Sequence, residues 1–326
     1  MHPKVELVSW TPHALELLYA TEKFAKTNVE HPLLTDPATI AQVRRAYKIS
    51  GRLGLDWTSD LLDTDLLFEA FPELKTSKDP WGDYVKSVEA WGLQVAKMAF
   101  PLAEMVHFVF RLSDVTIAFR EQLVRHRTNS YWIQGGRITD QSDVFDKGKY
   151  NIPDSVSKDP GLIKLWKDQW LHTQETYKSL RAHGVPDEDC REVVGSGVTH
   201  RLTMGINLRS LIELCKSRTC QIIQGHWIEV VRQIINEVTT KVDPIFGIIG
   251  FPPCWNSDKK FIGCKFNGVS EERLMGQDPH PVCPIWFENS PKTLNGKPVE
   301  IQDLRDLGRW NDERNKQFNE IWSRCE

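Results

Sequence analysis

The run "NLRSLIELCKSRTCQIIQGHWIEVVRQIINEV", Asn207 to Val238, limits what this chain can fold into more than any other stretch. Its apolar residues fall at 208, 211, 212, 215, 222, 223, 230, 231, 234 and 235, the spacing of a helix with one apolar stripe. A stripe of that kind has to be covered, so the chain needs a second layer to pack against. The stretch reads as one long amphipathic helix or as two in series, with "KSRTCQ" as the place for an interruption. Arg209 and Arg218 would lie roughly 180° apart around a continuous helix. They then meet different ligands, or the helix breaks between them, or both are simply solvated.

Strands are the natural partners of such a stripe. "VELVSW", Val5 to Trp10, alternates as a short strand, and "VHFVFRL" sets Phe108, Phe110 and Leu112 on one face at period two. Thr11 followed by Pro12 predicts an N-cap and a first helical turn, with the helix running to about Lys26. Between residues 30 and 100 the pieces "PATIAQVRRAYKIS" and "WGDYVKSVEAWGLQVAKMAF" have helical character and no evident chemistry. Ser113 or Asp114 predicts the cap of a helix "VTIAFREQLVRHR", and "GVPDEDCREVV" predicts another that starts at Pro186. From Pro244 the texture turns rich in Gly, Pro and aromatics, an irregular appendage closed by the helix "LRDLGRWNDERNKQFNEIW".

The 326 residues, 40% of them hydrophobic, suit one large domain or two small ones. No run of 18 or more apolar residues offers a membrane span, and the N-terminus has no signal-peptide pattern. Seven unevenly spread cysteines point to reduced thiols and a cytoplasmic setting. A net charge of −3 exerts no global pull on nucleic acid. The cationic segment "LVRHRTNSYWIQGGR", Leu123 to Arg137, therefore has to be read locally. Cations in a last helical turn complement the helix dipole. Arg125, His126 and Arg127 would point about 100° apart around that helix, so they do not all serve that purpose. A polyanionic ligand is the better account.

The same segment resembles the signature of the flavin-dependent thymidylate synthases, RHRxxSxNxxSxRY. Arg125, His126, Arg127, Ser130 and Arg137 match it in register. Gln122, three residues before the triplet, also fits, as do Arg191 after the Gly-Val-Pro turn and "NLRSLIELCKSR" with Asn207, Arg209 and Arg218. The similar core covers roughly residues 105–236. The resemblance implies an α+β fold, a mixed sheet flanked by helices, with a domain at 1–242 that carries an enlarged helical insertion near 30–100. Residues 243–326 then form a C-terminal extension. It implies a homotetramer with sites shared between subunits, FAD as cofactor, and methylenetetrahydrofolate and NADPH as co-substrates. A pyrimidine deoxynucleotide is the substrate, most simply dUMP converted to dTMP. By carry-over Arg125, His126, Arg127, Asn207, Arg209 and Glu213 line the flavin site. Gln122, Arg125, Gly135, Arg137, Arg191 and Arg218 hold the nucleotide, with Arg218 stabilising charge on the ring.

The chain departs from the signature at four positions. Trp132 replaces Asn, Ile133 a common Glu, Gly135 the second Ser, and Ile138 the closing Tyr. A histidine expected upstream of the strand is not evident in "KMAFPLAEMVH". Hydroxymethyl transfer, a cytosine nucleotide, or a non-catalytic flavin and nucleotide binder are the alternatives these changes raise. In the tail, Cys254, Cys264, His280 and Cys283 are either a Cys3His zinc site or ordinary packing thiols with a histidine. Cys190, Cys215 and Cys220 read as core.

Overall fold

The computed structural model describes residues 2–27, 31–53, 64–98, 101–135, 141–219 and 226–250, with two short strands at 293–294 and 297–298. The chain forms two compact units, 1–215 with 225–250, and 216–224 with 251–326. In the second unit the described secondary structure is the end of the helix that closes at Arg218 and the antiparallel pair Thr293–Leu294 and Lys297–Pro298. The closing tail helix and the candidate ligands Cys254, Cys264, His280 and Cys283 lie outside the described residues, as do Cys220, Arg137 and Ile138.

The first unit opens with β1 (Lys4–Trp10) and α1 (Ala14–Lys26). Thr11 does not cap this helix. Its N–H donates to the His107 carbonyl at 3.0 Å and its hydroxyl accepts from the His107 N–H at 2.9 Å. The pairing extends the sheet by one residue, and the turn into α1 is made by His13 in a left-handed conformation, φ 49°. The helices α2 (Pro37–Leu53), α3 (Thr64–Ala70) and α4 (Pro80–Met98) follow. Then come β2 (His107–Thr116), α5 (Ile117–Leu123), β3 (Ser130–Ile133) and the long α6 (Pro160–Ala182). β4 (Thr199–Asn207) runs directly into α7 (Leu208–Arg218), and α8 (Trp227–Lys241) closes the series. The run 207–238 is thus two helices, with the interruption just after Arg218. No described helix is long and apolar enough to cross a membrane.

The strand order is β1-β2-β4-β3. All three pairings are antiparallel, so the α+β class holds but the sheet is antiparallel where a mixed one was expected. Alternation buries Phe108, Phe110 and Leu112 opposite Ile206, Met204 and Leu202. On α8 the residues Val230, Val231, Ile234, Ile235 and Val238 are buried as well, the apolar stripe already legible in the sequence. The same helix closes the free edge of β1. Gln233 accepts from the Val5 N–H at 2.9 Å and Glu237 from the Leu7 N–H at 2.6 Å. Two edge donors that would otherwise invite another strand are thereby used.

β2 runs further than expected. It passes a bulge between Leu112 and Val115, where Asp114 takes φ 59°, and ends at Thr116. Thr116, rather than Ser113 or Asp114, caps α5 by accepting from the Phe119 N–H at 3.1 Å. The helices α2 and α4 are bolted to this core by a buried guanidinium. Arg44 of α2 bonds Glu16 of α1, Asp243 beyond α8 at 3.0 Å and Glu89 of α4 at 3.2 Å. A buried charge is tolerated only when paired in this way. Cys190 and Cys215 are buried, and burial pushes the Cys215 thiol far up, as befits core residues.

Candidate active site

Because α5 ends at Leu123 with Val124 as its C-cap, the Arg-His-Arg triplet lies in the turn beyond the helix, not in its last turn. The argument from angles around a helix therefore does not apply to it. What holds the turn is local. The His126 N–H donates to the Leu123 carbonyl at 3.0 Å, and the Asn129 N–H donates to that of His126 at 3.2 Å. The Tyr131 hydroxyl, at the start of β3, lies 2.8 Å from the Leu123 carbonyl and 3.1 Å from that of His126. Trp227, the first residue of α8, packs beneath. Its ring stands 4.4 Å from Phe119 and 6.0 Å from His126, centroid to centroid. Its indole N–H donates to Gln122 at 2.7 Å.

On this base Arg125 and Arg127 are exposed, and neither joins an ion pair among the described residues. Two unspent guanidinium forks on a fixed turn suit phosphate oxygens. Gln122, expected at the nucleotide, accepts from Trp227 with its carbonyl oxygen and keeps its amide donors for a ligand.

Asn207, Arg209 and Glu213 stand at the junction of β4 and α7. Asn207 accepts from the Ser210 N–H at 2.8 Å and so caps α7. Arg209 pairs with Glu104 at 2.5 Å and with Glu213 at 3.6 Å. Ser130 opposes Gly205, so the cationic turn before β3 and the start of α7 share one end of the sheet. The turn that carries Arg125, His126 and Arg127 and the junction that carries Asn207, Arg209 and Glu213 thus lie toward the same end of the sheet.

The nucleotide set is not gathered in the same way. Gly135 follows the far end of β3, where Ile133 opposes Leu202, and Arg191 starts a 3-10 turn ahead of β4. The two ends of β4, Thr199 and Asn207, are separated by roughly 27 Å. Arg218 ends α7, where burial lowers its guanidinium below the ordinary arginine value. Trp132 is 83% exposed, on the face of the sheet opposite the core. Sequence reading missed Trp227, Tyr131 and Glu104 as supports. Tyr131, an aromatic inside the motif, left a faint signal, and Trp227 and Glu104 left none.

The antiparallel sheet flanked by helices makes this an α+β protein, with an exposed cationic turn at one end of the sheet. A family model described as Thymidylate synthase complementing protein matches residues 95–245. The flavin-dependent thymidylate synthase of Pyrococcus furiosus is 30% identical over 144 residues, 44% of this chain and 58% of that protein. That of Pyrococcus abyssi is 28% identical over 140 residues, 43% and 57% respectively. The chain therefore spans little more than half the length of these relatives. A solved UMP/dUMP methylase, PolB from Streptomyces cacaoi bound with 5-Br dUMP, aligns over 76% of this chain and 93% of its own. Its sequence identity is 13% and the TM-score 0.49. Over residues 95–245 the chain is thus similar to the flavin-dependent thymidylate synthases.

Proposed function

We propose that the protein is a flavin-dependent enzyme that transfers a one-carbon unit from methylenetetrahydrofolate to C5 of a pyrimidine deoxynucleotide, dUMP giving dTMP, with NADPH as reductant. The observation that carries this reading is the pair of unspent guanidiniums, Arg125 and Arg127, on a turn inside the family segment. They stand at the sheet end that also holds Asn207 and Arg209. FAD fits this donor set, because its pyrophosphate needs charged forks and amide donors on a rigid base. Arg125, His126, Arg127, Asn207 and Arg209 would hold it, and Glu213 would steady Arg209. Bound there, FAD supplies the hydride chemistry that no side chain of the chain offers.

The protein's own residues then bind and orient. Gln122 and Arg125 grip the nucleotide from the cationic end, Gly135 and Arg191 from the other end of the sheet, and Arg137 joins them by its match to the family signature. Arg218 is the catalytic residue: its guanidinium, already partly stripped of water, stabilises the negative charge that develops on the pyrimidine ring. The two nucleotide-binding groups belong to opposite ends of one sheet, and complete sites therefore form between copies in a homotetramer. Trp132 and Gly135, which replace Asn and Ser, favour a second reading in which the same scaffold hydroxymethylates dUMP or dCMP.

The flavin assignment is tested by absorbance of the purified protein. Wild type binds FAD without a covalent link, and Arg127→Ala lowers occupancy at least tenfold with an unchanged melting temperature. A colourless wild type that takes up no FAD on reconstitution refutes the reading.

A further inference from the structure

The core side of the sheet is closed by packing, whereas the other side holds a hollow of about 750 Å3. That volume suits a small ligand with several polar contacts. Register makes the hollow a surface built by all four strands. Glu6 opposes Arg111, Arg111 opposes Thr203, and Thr203 opposes Trp132. Arg201, on the same face two residues from Thr203, receives the Gln134 N–H at its carbonyl, at 3.0 Å.

Three of the lining groups are cations, Lys4, Arg111 and Arg201, and all three are exposed. None joins an ion pair among the described residues, although Glu6 and Asp114 line the same hollow. Trp132 is 83% exposed, a large indole that contributes little to the core. Two strand spacings separate it from Arg111, about 10 Å between backbones. An unstacked ring at that distance from unspent guanidiniums is complementary to a flat ring carrying an acidic tail. The two carboxylates accept from ring or sugar N–H and O–H donors.

We infer that this hollow binds a planar heteroaromatic anion, with its ring on Trp132 and its acidic group on Arg111 and Arg201. A nucleotide phosphate on a pyrimidine and a folate carboxylate on a pterin share this chemistry. The inference rests on the proposed function only for the choice between these probes. None of the hollow's residues belongs to the cationic turn, so the surface is additional to the flavin group.

Isothermal calorimetry on the full chain as purified, with dUMP in one arm and folinic acid in the other, tests the assignment. At least one probe binds, and Trp132→Ala weakens it tenfold or more, Trp132→Phe by less, and Arg111→Ala or Arg201→Ala tenfold or more. The arm that responds identifies the source of the ligand. All four substitutions are at exposed positions, and equal melting temperatures exclude misfolding. Wild type that binds neither probe, or binding that Trp132→Ala leaves unchanged, overturns the inference. Flavin uptake at the Arg127 turn is measured separately, so a failure here is distinguishable from a failure of the flavin reading.

Discussion

Arg125 and Arg127 contribute no ion pair to their own fold among the described residues. They were legible in the sequence for that reason: charge concentrated where folding does not use it marks a ligand. The residues beneath them were not legible. Trp227 lies a hundred positions along the chain from Gln122, and only the folded helix brings the two together. Glu104, likewise, looks like one carboxylate among 44 acidic residues until Arg209 is seen against it. Gly135 is the most informative departure. A Cβ built on it meets no atom of the described residues within 4 Å, so Gly135→Ser should fold as wild type and any change in turnover reports on the site. With Trp132 and Gln134 as a rebuilt pocket, the restored serine should slow the native reaction in steady-state assays on uracil and cytosine nucleotides. A gain in thymidylate formation would show that the position has merely decayed.

At the level of elements, periodicity gave the strands and helices, and local polar chemistry misplaced their ends. Ser113 and Asp114 are good capping residues by composition, yet the sheet continues through them because β2 pairs with β4 again at Val115 and Thr116. The α5 helix is correspondingly short, which frees the cationic triplet from helical geometry. Thr11 was misread for the same reason: pairing across to His107 outcompeted a local cap. The helical stretch that carries α2 to α4 showed no chemistry in sequence, and its decisive residue is structural. Arg44 neutralises Glu16 and Asp243 in a buried site that ties α1, α2 and α4 to the chain beyond α8. Arg44→Ala leaves those carboxylates buried without a counter-charge and should cost about 3–5 kcal/mol, measured by urea unfolding. A loss below about 1 kcal/mol, the worth of a surface pair, would mean that the cluster is solvated and not structural.

For the whole molecule, the proposed site residues carry an expectation about assembly. Arg209 and Gly135 belong to opposite ends of a four-stranded sheet, and one copy does not fold one onto the other. The proposed function therefore requires neighbouring copies to complete each site. Light scattering should give a tetramer, four times the 37.6 kDa chain mass, and a monomer at micromolar concentration would remove the shared-site account.

The central claim, one-carbon transfer to a pyrimidine deoxynucleotide, is tested most directly by mass spectrometry of reaction products. The flavin-loaded protein is supplied with NADPH and methylenetetrahydrofolate, and with dUMP or dCMP in separate reactions. The account expects dUMP to gain a methyl group, and Arg218→Ala to slow this about a hundredfold or more while retaining FAD. A hydroxymethyl product, or reaction of dCMP alone, would move the function to the second reading. Unchanged nucleotide in both reactions, from protein that holds its flavin, would contradict the claim.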